Sequence, residues 1–251
     1  MTTIVKISGH ELNDDAYLNA FARVIAGYQP PVVVVHGGGR ELTTYQERLG
    51  LEARFVNGLR VTDAESLALA EMVLCGLVNK RLVRVLNNHG VRALGCSGVD
   101  LNIVQARPYP AEIDMLYTGE VAAVNAQPLR EWLAAGITPV IAPVCGGVQH
   151  NFNVNADHVA GALAQALSAR QVIFLSNVEG VLDGERRRYA RLTAADAQRL
   201  VAEGVINGGM IPKVNTALEA VNSGVAAAVI TNLAGLETHG GTTFVAEEEQ
   251  Q

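Results

Sequence analysis

Cysteine is scarce in this chain. Cys75, Cys96 and Cys145 are odd in number, far apart and in no metal-ligand spacing. That pattern excludes a disulfide framework and a zinc ribbon, and it fits reduced, buried thiols in a cytoplasmic protein. Long apolar runs are missing too: none approaches the ~18 residues of a membrane span. Residues 2–7 are too short for a leader and run straight into Ser8-Gly9, so no secretory signal is expected. Nor is there an excess of basic residues. Lys and Arg total 19 against 25 Asp and Glu, a net charge of −6, which argues against a nucleic-acid partner. Arg186-Arg187-Arg188 is the only basic run and reads as a solvated loop. His36 and His158 lie beside candidate sites, whereas His10, His89, His150 and His239 are scattered. None of the six has an i, i+4 partner, and there is no Ser-His-Asp or Cys-His arrangement, so structural or surface roles are expected for all of them.

What is present is a chain of 251 residues, 49% hydrophobic, without repeats or linkers. It is long enough for one large α/β domain or two lobes sharing a sheet. Val32-Val33-Val34-Val35-His36-Gly37-Gly38-Gly39 organises the rest. Four consecutive β-branched residues make a strand apolar on both faces, as in a parallel sheet covered by helices on each side. The glycines behind it allow close backbone approach, and a helical pattern starting near Glu41 aims its positive end at the same place. An anion site fits; a tight strand-to-helix turn that binds nothing has the same pattern. No Gly-Lys-Ser/Thr follows, so this is not a Walker A loop, and contiguous glycines are not a dinucleotide fingerprint.

Around this stretch, strands are predicted at 2–7, 91–94, 102–106, 119–124, 137–142, 172–175, 226–230 and 242–245, with 151–155 leading into a helix. The two at 102–106 and 119–124 read as a pair outside the main sheet. Helices are predicted at 14–26, 128–135, 156–169, 194–203 and 210–222, with a long one from an Asp63 cap to about residue 88. Asn57-Gly58 between apolar residues predicts a hairpin carrying Arg60 on a projecting ribbon. The Glu-rich tail reads as frayed. Alternating strands and helices imply a three-layer αβα sandwich around a mostly parallel sheet, with ligands beyond the carboxyl ends of the strands. That places Lys6, the three glycines, the Ser97 loop and the segment 176–180 on one rim. A lobe boundary is expected between 143 and 151.

Lys6 ends an apolar strand, and taken alone it reads as a lysine reaching solvent. Lys213 is more informative, because a cation in the first turn of a helix opposes the dipole by roughly 0.3–1 kcal/mol. An anion bound there would reverse that penalty; an exposed lysine at small cost is the other reading. In Asn153-Val154-Asn155-Ala156-Asp157, capping accounts for Asn155 and largely for Asp157 but leaves Asn153 unexplained. A functional Asp157 would hold lysine ammonium groups.

Six stretches together resemble the amino acid kinase family, most closely its N-acetylglutamate kinase branch. They are Val5-Lys6-Ile7-Ser8-Gly9, Val35-His36-Gly37-Gly38-Gly39, Asn57-Gly58-Leu59-Arg60-Val61-Thr62, Asn153-Val154-Asn155-Ala156-Asp157, Leu175-Ser176-Asn177-Val178-Glu179-Gly180-Val181-Leu182 and Gly209-Met210-Ile211-Pro212-Lys213. They stand in the family's order along nearly the whole chain. The resemblance implies a single amino acid kinase domain over 1–251 with a carbamate kinase-like fold. It implies an acidic-substrate and dimerisation half at 1–146 and a nucleotide half at 147–251. The implied reaction is ATP-dependent phosphorylation of the side-chain carboxylate of N-acetyl-L-glutamate in arginine biosynthesis, with Mg²⁺ bound to the nucleotide. By the same resemblance Lys6 and Lys213 stabilise the transferring phosphoryl group and Asp157 positions both. Gly38, Gly39, Arg60 and Asn153 contact acetylglutamate. Ser8, Gly9, Gly37, Ser176, Asn177, Val178, Gly180, Val181, Leu182, Gly209 and Met210 meet phosphates or nucleotide.

The residues suit such chemistry. A carboxylate nucleophile is ionised at neutral pH and needs no general base; the task is to bring two anions together and neutralise spreading charge. Arg60 can grip a carboxylate with two parallel bonds. Ser8 departs from the family, which usually has glycine there. The chain also starts at its first strand, without the N-terminal helix that links dimers into rings in arginine-inhibited relatives, so an arginine-insensitive homodimer is expected. The segment 71–81 also looks like the sister kinases that act on α-aminoadipate or glutamate held by a small acidic carrier protein, although no basic docking surface is evident near Arg60.

Overall fold

The computed structural model describes residues 1–9, 11–29 and 31–247. His10, Pro30 and the Glu-rich tail from 248 lie outside the described residues. The first half of the chain runs β1 (Thr3–Ile7), α1 (Asp15–Gly27), β2 (Val32–His36), α2 (Gly39–Arg48), β3 (Arg54–Val56), β4 (Leu59–Val61), α3 (Ala64–Ala70), a π-helical Glu71–Val78, α4 (Asn79–Asn88) and β5 (Ala93–Ser97). It continues through a 3₁₀ turn (Asp100–Asn102), β6 (Val104–Pro108), β7 (Thr118–Val124), α5 (Gln127–Ala134), β8 (Thr138–Ala142) and β9 (Val144–Gly146). The remainder is β10 (Asn151–Val154), α6 (Ala156–Ala166), β11 (Gln171–Leu175), β12 (Arg191–Leu192), α7 (Ala194–Ala202), α8 (Met210–Asn222), β13 (Ala228–Thr231), α9 (Leu233–Glu237) and β14 (Thr242–Phe244).

Eight strands form one sheet in the order β12-β14-β13-β11-β1-β2-β8-β5. Every neighbouring pair is parallel except β13 with β14. Alternation along β2 explains the sandwich. Val33 and Val35 face a core shared with α5, α6, α7 and α8, while Val32 and Val34 face a second core built with α1, α2, α4 and α9. Each such side chain removed from water contributes roughly 1.5–3 kcal/mol before chain entropy is subtracted. This is the α/β architecture that the strand–helix alternation predicts.

The expected pair at 102–106 and 119–124 is β6 and β7, and it closes with β9 and β10 into a small four-stranded barrel beside the main sheet. The predicted Asn-Gly hairpin is also present: Asn57 (φ 49) and Gly58 (φ 80) both have positive φ between β3 and β4. It pairs with no strand of the larger sheets. The Asp63 cap is formed, its carboxylate accepting from the Ser66 N–H at 2.8 Å. Behind that cap the long helix has a π-helical middle that apolar periodicity did not foreshadow. Four short elements were also missed, β9, β10, β12 and α9, each too short to carry a periodic signal.

Candidate active site

A cleft of about 680 Å³ opens beyond the carboxyl ends of β1, β2 and β11. Its floor is made of glycines. β1 delivers Lys6, Ser8 and Gly9; β2 delivers Gly37, Gly38 and Gly39. The two loops touch backbone to backbone, so a Cβ on Gly9 would lie 2.7 Å from the Gly38 nitrogen. Gly38 caps α2 at φ 143, a conformation that side chains rarely adopt, and a Cβ there would meet Leu74. The helix therefore begins at Gly39 rather than Glu41, with its positive end in the floor. Behind the loop His36 is fully buried. Its Nδ1 bonds the Gly37 carbonyl at 2.7 Å and its Nε2 meets the Asn79 amide at 3.1 Å. Burial pushes its pKa down to about 4, so it is a neutral structural group, as expected.

Arg60 lines the cleft from β4 but does not project from its ribbon. Its guanidinium is turned inward and buried, donating to Gln46, to the Gly39 carbonyl at 2.9 Å and to the Thr43 hydroxyl at 2.8 Å. All these partners are neutral. Burial lowers its pKa to about 10, which leaves it cationic at neutral pH with no carboxylate paired to it among the described residues. Asn153 stands on β10, its amide donating to Thr62 at 3.0 Å, and Thr62 in turn donates to the Arg60 carbonyl. The residue that capping left unexplained thus belongs to the wall carrying Arg60.

At the other end of the cleft the Lys6 ammonium pairs with Asp157 at 2.8 Å, both side chains largely shielded. Asn155 caps α6 by accepting from the Asp157 N–H at 2.7 Å, which fixes where the aspartate projects. Lys213, in the first turn of α8, lines the same cleft. Its ammonium donates to the Gly209 carbonyl at 3.2 Å rather than to Asp157. The bridging of both lysines by one aspartate is therefore half present: Lys6 is paired and Lys213 is held by its own helix entrance. Ser8 lines the cleft while its hydroxyl donates to the Leu175 carbonyl at 2.8 Å, tying the end of β1 to β11.

Ser176 and Asn177 line the cleft as well. Val178, Gly180, Val181, Leu182, Gly209 and Met210 do not. Val181 is buried and its N–H donates to Thr242 at 2.9 Å, while Leu182 bridges to Arg188. The Ser97 loop sits at a strand end but folds on itself through Asp100 and stays out of the cleft. Sequence reasoning missed Glu11, Arg40, Phe55, Leu74 and Thr118 as lining residues. The hairpin register could have found Phe55, which it sets directly opposite Arg60. Arg40 follows the glycine loop directly, whereas Glu11, Leu74 and Thr118 are brought in by tertiary packing.

The family model for the amino acid kinase family matches residues 1–232. The chain belongs to the amino acid kinase family. It is 49% identical over 250 residues to an acetylglutamate kinase of Chloroflexus aurantiacus, covering 97% of each chain. An acetylglutamate kinase of Methanopyrus kandleri is 44% identical over 248 residues, covering 95% of this chain and 98% of that one. In three dimensions it superposes on smu.665 from Streptococcus mutans with a TM-score of 0.79 at 30% identity, covering 98% and 99% of the two chains. Relatives named as kinases at this identity over nearly the whole length show the protein to be a kinase. Among the described residues no helix is long and apolar enough to cross a membrane, and no group of three metal-ligating side chains occurs.

Proposed function

We propose that the enzyme transfers the γ-phosphoryl group of ATP to the side-chain carboxylate of N-acetyl-L-glutamate, forming N-acetyl-L-glutamyl 5-phosphate and ADP in arginine biosynthesis. The observation that carries this is one cleft lined at one end by Arg60 without an acidic partner and at the other by Lys6, Asp157 and Lys213. Arg60, Asn153 and the N–H groups of Gly38 and Gly39 bind the acidic substrate, in the half contributed by 1–146. Lys213, Ser176 and Asn177 face the nucleotide, held by the half from 147 to 251; Gly209, Met210, Val178, Gly180, Val181 and Leu182 shape that side from outside the cleft. Lys6, oriented by Asp157, and Lys213 neutralise the charge that spreads over the phosphoryl oxygens as the carboxylate attacks.

A dedicated magnesium cage is not required, since Mg²⁺ enters with the nucleotide and keeps much of its water shell. The cleft suits it: Glu11 lines the cleft, and its Oε2 is buried without a hydrogen-bond partner. That carboxylate and Asp157 would face the hydrated ion, which neutralises charge on the nucleotide phosphates when bound.

Free thiols at Cys75, Cys96 and Cys145 support a reducing, cytoplasmic setting. A homodimer is supported by Met72, Leu77 and Leu94, which stand exposed on the π-helical segment and on β5, the edge strand of the main sheet.

The test is an acceptor screen with ATP and Mg²⁺ over acetylglutamate, glutamate, aspartate, carbamate and free or carrier-bound aminoadipate, trapping acyl phosphate as hydroxamate. Hydroxamate from free acetylglutamate supports the proposal. Product from the carrier-bound substrate alone would overturn it.

A further inference from the structure

We propose that Phe55 is a substrate-binding residue, an aromatic wall that covers the pair formed by Arg60 and the substrate carboxylate; this rests on the acidic-substrate reading above. The tight Asn57-Gly58 turn sets position 55 directly opposite position 60. The Phe55 ring lies over the Arg60 guanidinium, 4.7 Å from its carbon to the ring centroid. It is nevertheless 53% exposed, and it lines the cleft together with Gly58 and Leu59. An aromatic ring that touches a buried cation on one side and open cleft on the other is placed to be covered by whatever the cation binds.

The hairpin that carries it pairs with no strand of the larger sheets. β4 is anchored beneath it, the Thr118 hydroxyl donating to the Arg60 carbonyl and the Tyr117 N–H to the Thr62 carbonyl, so β3 with Phe55 is the outer strand over the guanidinium. Without ligand the negative face of the ring partly compensates the guanidinium, whose hydrogen bonds go only to Gln46, Gly39 and Thr43. With a carboxylate on Arg60, the ring screens the ion pair from water and salt, which strengthens it. Phe55 makes no contact with Lys6 or Asp157 among those described, so its effect falls on substrate binding and leaves the transfer step alone.

Steady-state kinetics of Phe55→Ala, Phe55→Leu and Phe55→Trp test this, using whichever acceptor the wild type phosphorylates fastest. F55A should raise KM for the acidic substrate about tenfold, with kcat and the nucleotide KM within about twofold of wild type. Its acceptor KM should also climb more steeply between about 50 and 500 mM KCl, because the ion pair has lost its screen. F55W should restore both properties. F55L, which keeps apolar bulk and guards against a folding artefact, should give an intermediate KM with the salt response of F55A. An F55A acceptor KM within twofold of wild type would overturn the proposal, as would a fall in kcat at constant KM or an unchanged salt slope. Failure of acetylglutamate as acceptor would sink the substrate assignment, while the ratio of variant to wild type on the true acceptor still decides the role of Phe55.

Discussion

His36 is sealed between the glycine loop and Asn79, and its burial has a measurable consequence. An unfolded imidazole takes its proton near 6.5, whereas this one is held down to about 4. Between those values the unfolded chain binds more protons than the native one, so stability rises with pH across the window and is lost as pH falls from about 6.5 toward 4. The full effect is on the order of 3 kcal/mol. Urea midpoints measured from pH 7 to pH 4.5 should therefore decline, and His36→Gln should flatten that decline. The hydrogen-bonded carboxylates of Asp63 and Asp196, both held below their ordinary 3.8, lose their contribution only at lower pH, outside this window. A wild-type midpoint flat over the range would show that the imidazole charges at little cost. Ser8 belongs to the same scale. Its departure from the family's glycine is absorbed by one bond to the Leu175 carbonyl.

At the scale of elements, the two glycine loops work as one unit because their backbones touch. Gly9→Ala would push a methyl carbon to 2.7 Å from the Gly38 nitrogen, a backbone atom that no rotamer change can move aside. The substitution should part the loops, cutting kcat/KM by about a hundredfold or more while the helical circular dichroism signal persists. Activity within tenfold of wild type would mean that the floor is softer than its geometry implies. Part of this unit was legible beforehand: Val32–Val35 announced a strand buried on both faces, and the glycines announced a backbone open to close approach by a ligand; that the Gly9 loop touches it was not foreseen. The hairpin was plain from Asn57-Gly58. The inward turn of Arg60 was not, since only the packing of Gln46 and Thr43 draws the guanidinium off the ribbon. The expected pairing of both lysines with Asp157 is formed for Lys6 and not for Lys213, whose ammonium donates to the Gly209 carbonyl at its own helix entrance. A residue pattern specifies which groups share a cleft more readily than which of them bond before a ligand arrives.

At the scale of the whole molecule, one eight-stranded sheet carries the cleft across its middle strands, with the small barrel and the hairpin beside it. Lys6 and Gly37 come from β1 and β2, while Ser176 and Lys213 come from the far half of the chain. The proposed transfer between two bound anions needs residues from both parts of the chain aligned, and the shared sheet supplies that alignment. The exposed apolar groups beside the β5 edge bear on assembly at this scale: light scattering should give the mass of a homodimer, and a monomer at micromolar concentration would contradict that surface assignment.

The central claim is that two ammonium groups, from β1 and from the start of α8, jointly carry the charge of the moving phosphoryl unit. It is tested most directly by measuring kcat for Lys6→Ala and Lys213→Ala with saturating acceptor, alongside calorimetric binding of the nucleotide. The account predicts a fall of about 10²–10³ or more in each variant with nucleotide affinity changed only a few-fold; kcat within tenfold of wild type in both would contradict it.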